Sequence, residues 1–247
     1  MTDVTTRTPI WPPRTILAAV DFGEASTRAV SVAGFIAAGG TATLRVVHAE
    51  RFEVPPYFTP AQIERLEDER REASAELTTE LTRFVKGATD WPATIVVADG
   101  RPVDAILDAA AAADADLIVI GTHGRRGPSR WWLGSVAERV VRGARIPVLV
   151  TKADPSPLPE LFARVVHVGD GVTPDADARA QVDLLTASLG GQVVAAAAID
   201  ACGEDVVATA TLVAVSTPRG RASWGLSDIV ADTLGRCARP VLFLPAP

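Results

Sequence analysis

The hexapeptide Arg145-Ile146-Pro147-Val148-Leu149-Val150 returns near the end of the chain as Arg239-Pro240-Val241-Leu242-Phe243-Leu244. Two further pieces recur in the same order. An apolar run at 16–21, closing on Asp21, is echoed by residues 165–168 followed by Asp170. A helical stretch that stops at Gly39-Gly40 is echoed by one that stops at Gly190-Gly191. Internal repetition constrains a fold more than any local propensity does. A chain of 247 residues that repeats itself once must be built as two copies of one small unit.

The first copy alternates strand and helix. Strands are expected at 16–21, 42–48, 93–98, 117–121 and 146–151, where β-branched and apolar residues cluster. Helices are expected at 25–38 and 61–86, from Pro102 onward, and at 134–143. Pro102 falls where a first helical turn tolerates proline. The charge run 64–72 on the second helix is most simply a solvated face. Strands separated by helices of this length make a parallel sheet with right-handed crossovers. Aromatic residues are only 5% of the chain, so Ala, Val, Leu and Ile must fill the core. That palette suits buried parallel strands.

Residues 153–160 hold three prolines in eight positions and read as a stiff linker. Beyond it a strand at 165–168, a helix at 174–189 and strands at 193–199, 212–217 and 241–244 follow. The third strand and its flanking helices are missing or reduced. The expected organisation is a tail (1–13), a full domain (14–152), the linker and a shortened second copy (161–247).

A formal charge of −6 argues against general nucleic-acid or acidic-membrane binding. No apolar run reaches the roughly 18–20 residues of a membrane span, and the first residues lack the apolar core of a signal peptide. A cytoplasmic protein is the expectation. Cys202 and Cys237, far apart, suit neither a disulfide framework nor a cysteine metal site.

The chemistry concentrates after the fourth strand: Gly121, two residues, Gly124, nine residues, then Gly134-Ser135 opening a helix. Glycines at a strand end let backbone amides approach an anion with no Cβ in the way. Free N–H groups at a helix start favour phosphate, and the Ser135 hydroxyl can donate to it. Between 121 and 145 there are six arginines and one acid, Glu138, so a local positive field stands within an acidic chain. The alternative is a capping box of Ser135 with Glu138, which needs no ligand. Asp21, followed by Glu24, can equally be read as a cap of the first helix. His123 reads as a loop-packing residue, and Trp131 and Trp132 as cover for an apolar surface.

The glycine spacing, the flanks DLIVIGTHGRRG (116–127) and LGSVAERVVRGARIPVLVTK (133–152), and the opening ILAAVDFGEAS (16–26) together resemble the universal stress protein family. The resemblance covers 14–152 nearly end to end and 161–247 in weakened form. It implies a Rossmann-like, doubly wound five-stranded parallel sheet of order 3-2-1-4-5, with ATP above strands one and four. A doubly wound sheet holds a ligand there in any case, at the reversal of strand order. The resemblance further implies that Asp21 and the backbone at Gly121 hold the ribose hydroxyls and that Val47 lies beside the adenine. Gly124 and Gly134 would supply phosphate amides, Ser135 its hydroxyl, and Arg125 would sit in the phosphate loop. It also implies that final strands of two domains pair across a two-fold axis, here within one chain, with further association of two chains open.

No GxxxxGK[ST] loop occurs, so no lysine cradles β- and γ-phosphates. No carboxylate pair is spaced for two-metal chemistry. Any Mg2+ would be held only through the phosphates of bound ATP, ADP or AMP. Binding is therefore expected over catalysis: a nucleotide-responsive regulator read by a protein partner. Slow ATP hydrolysis or self-phosphorylation, and a purely structural interaction module, are the rivals. In the second copy Ser216 stands at the place of Gly121, Arg219 at that of Gly124 and Ser227-Asp228 at that of Gly134-Ser135. A carboxylate at that helix start repels phosphate, so no nucleotide is expected there.

Overall fold

A computed structural model describes residues 11–51, 60–122, 135–153, 155–168, 176–196, 210–217, 237 and 239–245. The first half runs β1 (Thr15–Val20), α1 (Glu24–Gly40), β2 (Thr43–Glu50), α2 (Pro60–Ala88), β3 (Ala93–Asp99), α3 (Pro102–Ala112), β4 (Leu117–Gly121), α4 (Ser135–Gly143) and β5 (Val148–Thr151). A 3-10 helix (Leu158–Phe162) then leads to β6 (Arg164–Val168), α5 (Ala176–Ser188), β7 (Gln192–Ala196), β8 (Leu212–Thr217) and β9 (Val241–Pro245).

Among the described residues nine strands form one sheet of order β3-β2-β1-β4-β5-β9-β8-β6-β7. The first five are parallel in the order 3-2-1-4-5. β5 and β9 run antiparallel, with Val148 opposite Phe243, Leu149 opposite Leu242 and Val150 opposite Val241. Beyond that seam β9, β8, β6 and β7 are parallel again. The final strands therefore leave no open edge between the halves, which relieves the aggregation hazard of two apolar edges.

Alternation along each strand separates two apolar layers. Ile16, Ala18, Leu44, Val46, Leu117, Val119, Leu149, Val165, Leu212 and Leu242 face one side, with Ala29, Ala33, Ile36, Leu81, Val85, Val182 and Leu185 from α1, α2 and α5. Leu17, Ala19, Val47, Ile118, Ile120, Val148, Val150, Val166, Val213 and Phe243 face the other, with Ile106, Ala110, Ala137 and Val140 from α3 and α4. Each layer runs across both halves of the chain. Covering both faces explains why the central strands β1, β4 and β5 read as continuous apolar runs.

Several boundaries differ from the sequence expectation for local reasons. α1 continues through Gly39 and Gly40 and ends at Thr41, which takes the left-handed conformation (φ 56°). Gly40 is needed for space, since a Cβ there would meet the Pro12 side chain at 2.9 Å. In the second half Gly190 does adopt the left-handed turn (φ 74°). The proline-rich stretch is not wholly extended: Leu158 opens the 3-10 helix, which buries Leu161 and Phe162. Phe162 stacks on Phe35 of α1, ring centres 6.3 Å apart, and so fastens the second half to the first. At the opposite end of the strands Asp116 Oδ2 accepts from the backbone N–H groups of Arg14 (2.8 Å) and Thr15 (3.0 Å). That carboxylate closes the start of β1 against β4.

Candidate functional site

The strand order reverses beside β1: its chain continues into β2 on one side, while β4 lies on the other. The ends of β1 and β4 therefore open a crevice at their C-terminal edge, where open α/β sheets bind ligands. Ser26 ties this edge together. Its hydroxyl donates to Asp21 Oδ1 at 2.5 Å and accepts from the Asp21 backbone N–H at 3.0 Å. Asp21 Oδ1 also accepts from the Gly23 N–H at 3.0 Å. Phe22, between them, has φ 63°, a left-handed conformation uncommon for a residue with a side chain. The helix cap itself is Gly23, which makes no side-chain cap bond. Asp21 thus holds the β1–α1 turn from two residues before the cap, and its side chain is exposed at the crevice edge.

Gly121 closes β4 against the same turn. A Cβ there would lie 2.5 Å from the Ala25 carbonyl carbon, 2.6 Å from its oxygen and 2.8 Å from the Ser26 nitrogen. The sequence reading gave this glycine the task of exposing backbone to an anion. In the structure its missing side chain makes room for the first turn of α1, a packing requirement that holds with or without a ligand. Thr151, fully buried at the end of β5, accepts through its carbonyl from the Thr122 N–H at 2.8 Å. Gly121→Ala is accordingly expected to lower stability by about 1–3 kcal/mol, the usual cost of overpacking. Thermal unfolding should shift down by roughly 2–4 °C for each kcal/mol; an unchanged Tm would refute the packing role.

Of the other residues singled out, Val47 is fully buried, opposite Ala19 of β1 and Val96 of β3. It lies one strand out from the crevice, on the side covered by α3 and α4. Ser135 is the first residue of α4. Gly124, Arg125 and Gly134 lie outside the described residues, as do His123, Trp131, Trp132, Asp170, Arg219 and Asp228. Ser216, which the sequence reading sets at the place of Gly121, is buried and hydrogen-bonded to His167 Nε2 at 3.0 Å.

The sequence reading missed Ser26, Phe22, His48 and Glu50. His48 and Glu50 were legible as a pair two apart at a strand end, which puts both on one face. The apolar run predicts a strand that stops at His48, but the strand runs to Glu50. Cys237, just before β9, is buried, and that burial pushes its thiol up despite the nearby Arg239 and Lys152. Lys152 Nζ donates to its carbonyl across the seam. A raised thiol is a poor nucleophile. Among the described residues no group of three or more His, Cys, Asp or Glu side chains could hold a metal, and no helix is long and apolar enough to cross a membrane.

These features define a doubly wound α/β protein with its crevice at the reversal of strand order. The universal stress protein family model matches residues 13–152, more than half of the chain. A universal stress protein of Thermus aquaticus is 37% identical over 147 residues, spanning 56% of this chain and 98% of that protein. One from Methanocaldococcus jannaschii is 42% identical over 91 residues, spanning 36% of this chain and 49% of its own length. A universal stress protein structure from Archaeoglobus fulgidus covers 94% of this chain and 96% of its own, with a TM-score of 0.63 at 18% identity, a likeness of fold. The chain belongs to the universal stress protein family.

Proposed function

We propose that this chain binds one adenine nucleotide (ATP, ADP or AMP) in the crevice above β1 and β4, and that occupancy alters a surface read by a regulatory protein partner under stress. The observation that carries the reading is that β1 and β4 end side by side at the reversal of strand order, with Asp21 exposed at the edge of the crevice they open. Asp21 and the Gly121 backbone would hold the ribose hydroxyls, with Val47 on the adenine side. Gly124, Gly134, Ser135 and Arg125 would take the phosphates, in keeping with the positive charge of residues 121–145. The family resemblance supports this assignment of roles. Any Mg2+ would be held through the phosphates.

The second half is, on this reading, a shortened copy that binds no nucleotide and acts as a scaffold in the cytoplasm. The matching orders β2-β1-β4-β5 and β7-β6-β8-β9 support a common origin. The buried Ser216–His167 hydrogen bond, at the place where the first half has glycine, supports a different use of its crevice.

Native mass spectrometry of the purified chain, followed by calorimetry, tests the proposal. One adenine nucleotide per chain is expected. An empty protein that takes up no nucleotide would favour a structural interaction module, and two bound per chain would overturn the scaffold reading. Phosphate released from labelled ATP, or label retained on the protein, would make it an enzyme.

A further inference from the structure

We propose that two copies of this chain associate side by side through β7, strand against strand about a two-fold axis, with Arg179 and Asp183 of one α5 facing Asp183 and Arg179 of the other. In the first half β2 is not an edge, because β3 pairs along it from Ala93 to Asp99. β7 holds the same place in the second half: Val193 pairs with Val165 of β6 as Leu44 pairs with Ile16 of β1. Among the described residues no strand lies beyond it. The link from β7 to β8, residues 197–211, must pass β6, which lies between them. Parallel strands need about a dozen residues or more for such a crossover, so the link has no length left for a strand outside β7.

The edge is suited to accept a strand. Gln192 donates its N–H inward, to the Ala163 carbonyl at 3.0 Å. Successive residues of a parallel ladder bond to opposite sides, so Val193 presents its N–H and C=O to the open side. Gln192–Ala196 carries neither charge nor proline, the usual protections of an edge. Val193 and Val194 carry the two apolar layers out to this strand, one on each face, and both stay partly exposed.

What selects a second copy is α5. On the same alignment, buried Ala178, Val182 and Leu185 fall on buried Ala29, Ala33 and Ile36 of α1. The outer flank differs. In α1 it is Val30 and Gly34, both buried. Ser31 beside them donates to the Ala88 carbonyl at 2.8 Å, and a Cβ on Gly34 would strike the Thr89 side chain, so this flank packs against the end of α2. At the corresponding places α5 carries Arg179 and Asp183, paired at 2.9 Å and 33% and 49% exposed. Because α5 packs on β7 and β6, that flank overlooks the open edge. Opposite charges one turn apart complement themselves under a two-fold rotation, which sets α5 antiparallel to its mate and makes the contact isologous. β5 and β9 already join the two halves of the chain as an antiparallel pair.

Sedimentation equilibrium of the full chain at low and high salt is the test. A monomer–dimer equilibrium is expected, weakened by salt, which screens exposed charges. Arg179→Asp and Asp183→Arg should each raise the dimer dissociation constant about tenfold or more, because like charges then face each other across the axis. An equimolar mixture of these two variants should form the mixed dimer, and the chain carrying both substitutions should dimerise as the wild type does. Val193→Pro removes an outward N–H and leaves the bonds to β6; it should abolish the dimer with the far-UV circular dichroism unchanged. A chain that stays monomeric at every concentration overturns the proposal, whether water or another protein covers the edge. So does a dimer that the charge reversals leave untouched, or a pair of variants that do not rescue each other.

Discussion

Leu242→Asp is expected to lower stability by about 3–5 kcal/mol, the cost of an uncompensated buried charge. Leu242 is 1% exposed and pairs with Leu149 across the antiparallel seam and with Ala214 on its other side. Its side chain lies in the apolar layer that also holds Leu149, Val165 and residues of α1 and α5. An aspartate there must lose its hydration or expel its neighbours. Because that layer crosses both halves, the loss should register in the whole sheet. Urea unfolding followed by circular dichroism should give one transition, moved to lower denaturant. Leu184→Asp, at a site 55% exposed, is the control and should change stability by no more than about 0.5 kcal/mol. Two transitions, of which only one moves, would mean that the halves fold independently and that the seam is a docking contact.

Gly134→Glu is expected to abolish nucleotide binding while leaving the fold intact, a loss in calorimetry of roughly a hundredfold or more if the carboxylate meets phosphate at close range. Gly134 immediately precedes Ser135, the first residue of α4. On the proposed reading, a side chain there would block the N–H groups of the helix start, and its charge would repel the phosphate they hold. The same charge favours the helix dipole, so thermal unfolding should stay level or rise. Lost binding with unchanged Tm would therefore mark a site, and lost binding with a lowered Tm would mark damage. Unchanged affinity would remove the helix start of α4 from the proposed function.

Much of the fold was legible because burial on both faces writes itself as short apolar runs. Residues 117–121 and 212–217 were delimited to the residue for that reason. Boundaries slipped where a longer-range contact outweighed local propensity. Gly39 and Gly40 carry a helix-ending signal, yet the helix takes in both and turns at Thr41, and Gly40 instead leaves room for the Pro12 side chain. The proline-rich stretch reads as a stiff linker, and its second part turns into a 3-10 helix that buries Leu161 and Phe162.

The candidate site divides in the same way. By itself the sequence determined the order of strands and helices, the repeat, the glycine–serine pattern after β4 and the acid after β1, since each depends on neighbours close along the chain. Only the tertiary structure decided that Gly121 is glycine to admit the backbone of α1, that Ser26 joins Asp21 to that packing, and that His48 stands between Val20 and Glu50. It also decided that β5 and β9 meet antiparallel in one nine-stranded sheet. The closest packing and the seam depend on atoms that meet from far along the chain, such as Gly121 with Ala25 or Leu149 with Leu242. Spacing along the sequence carries no record of such a distance until the sheet has closed.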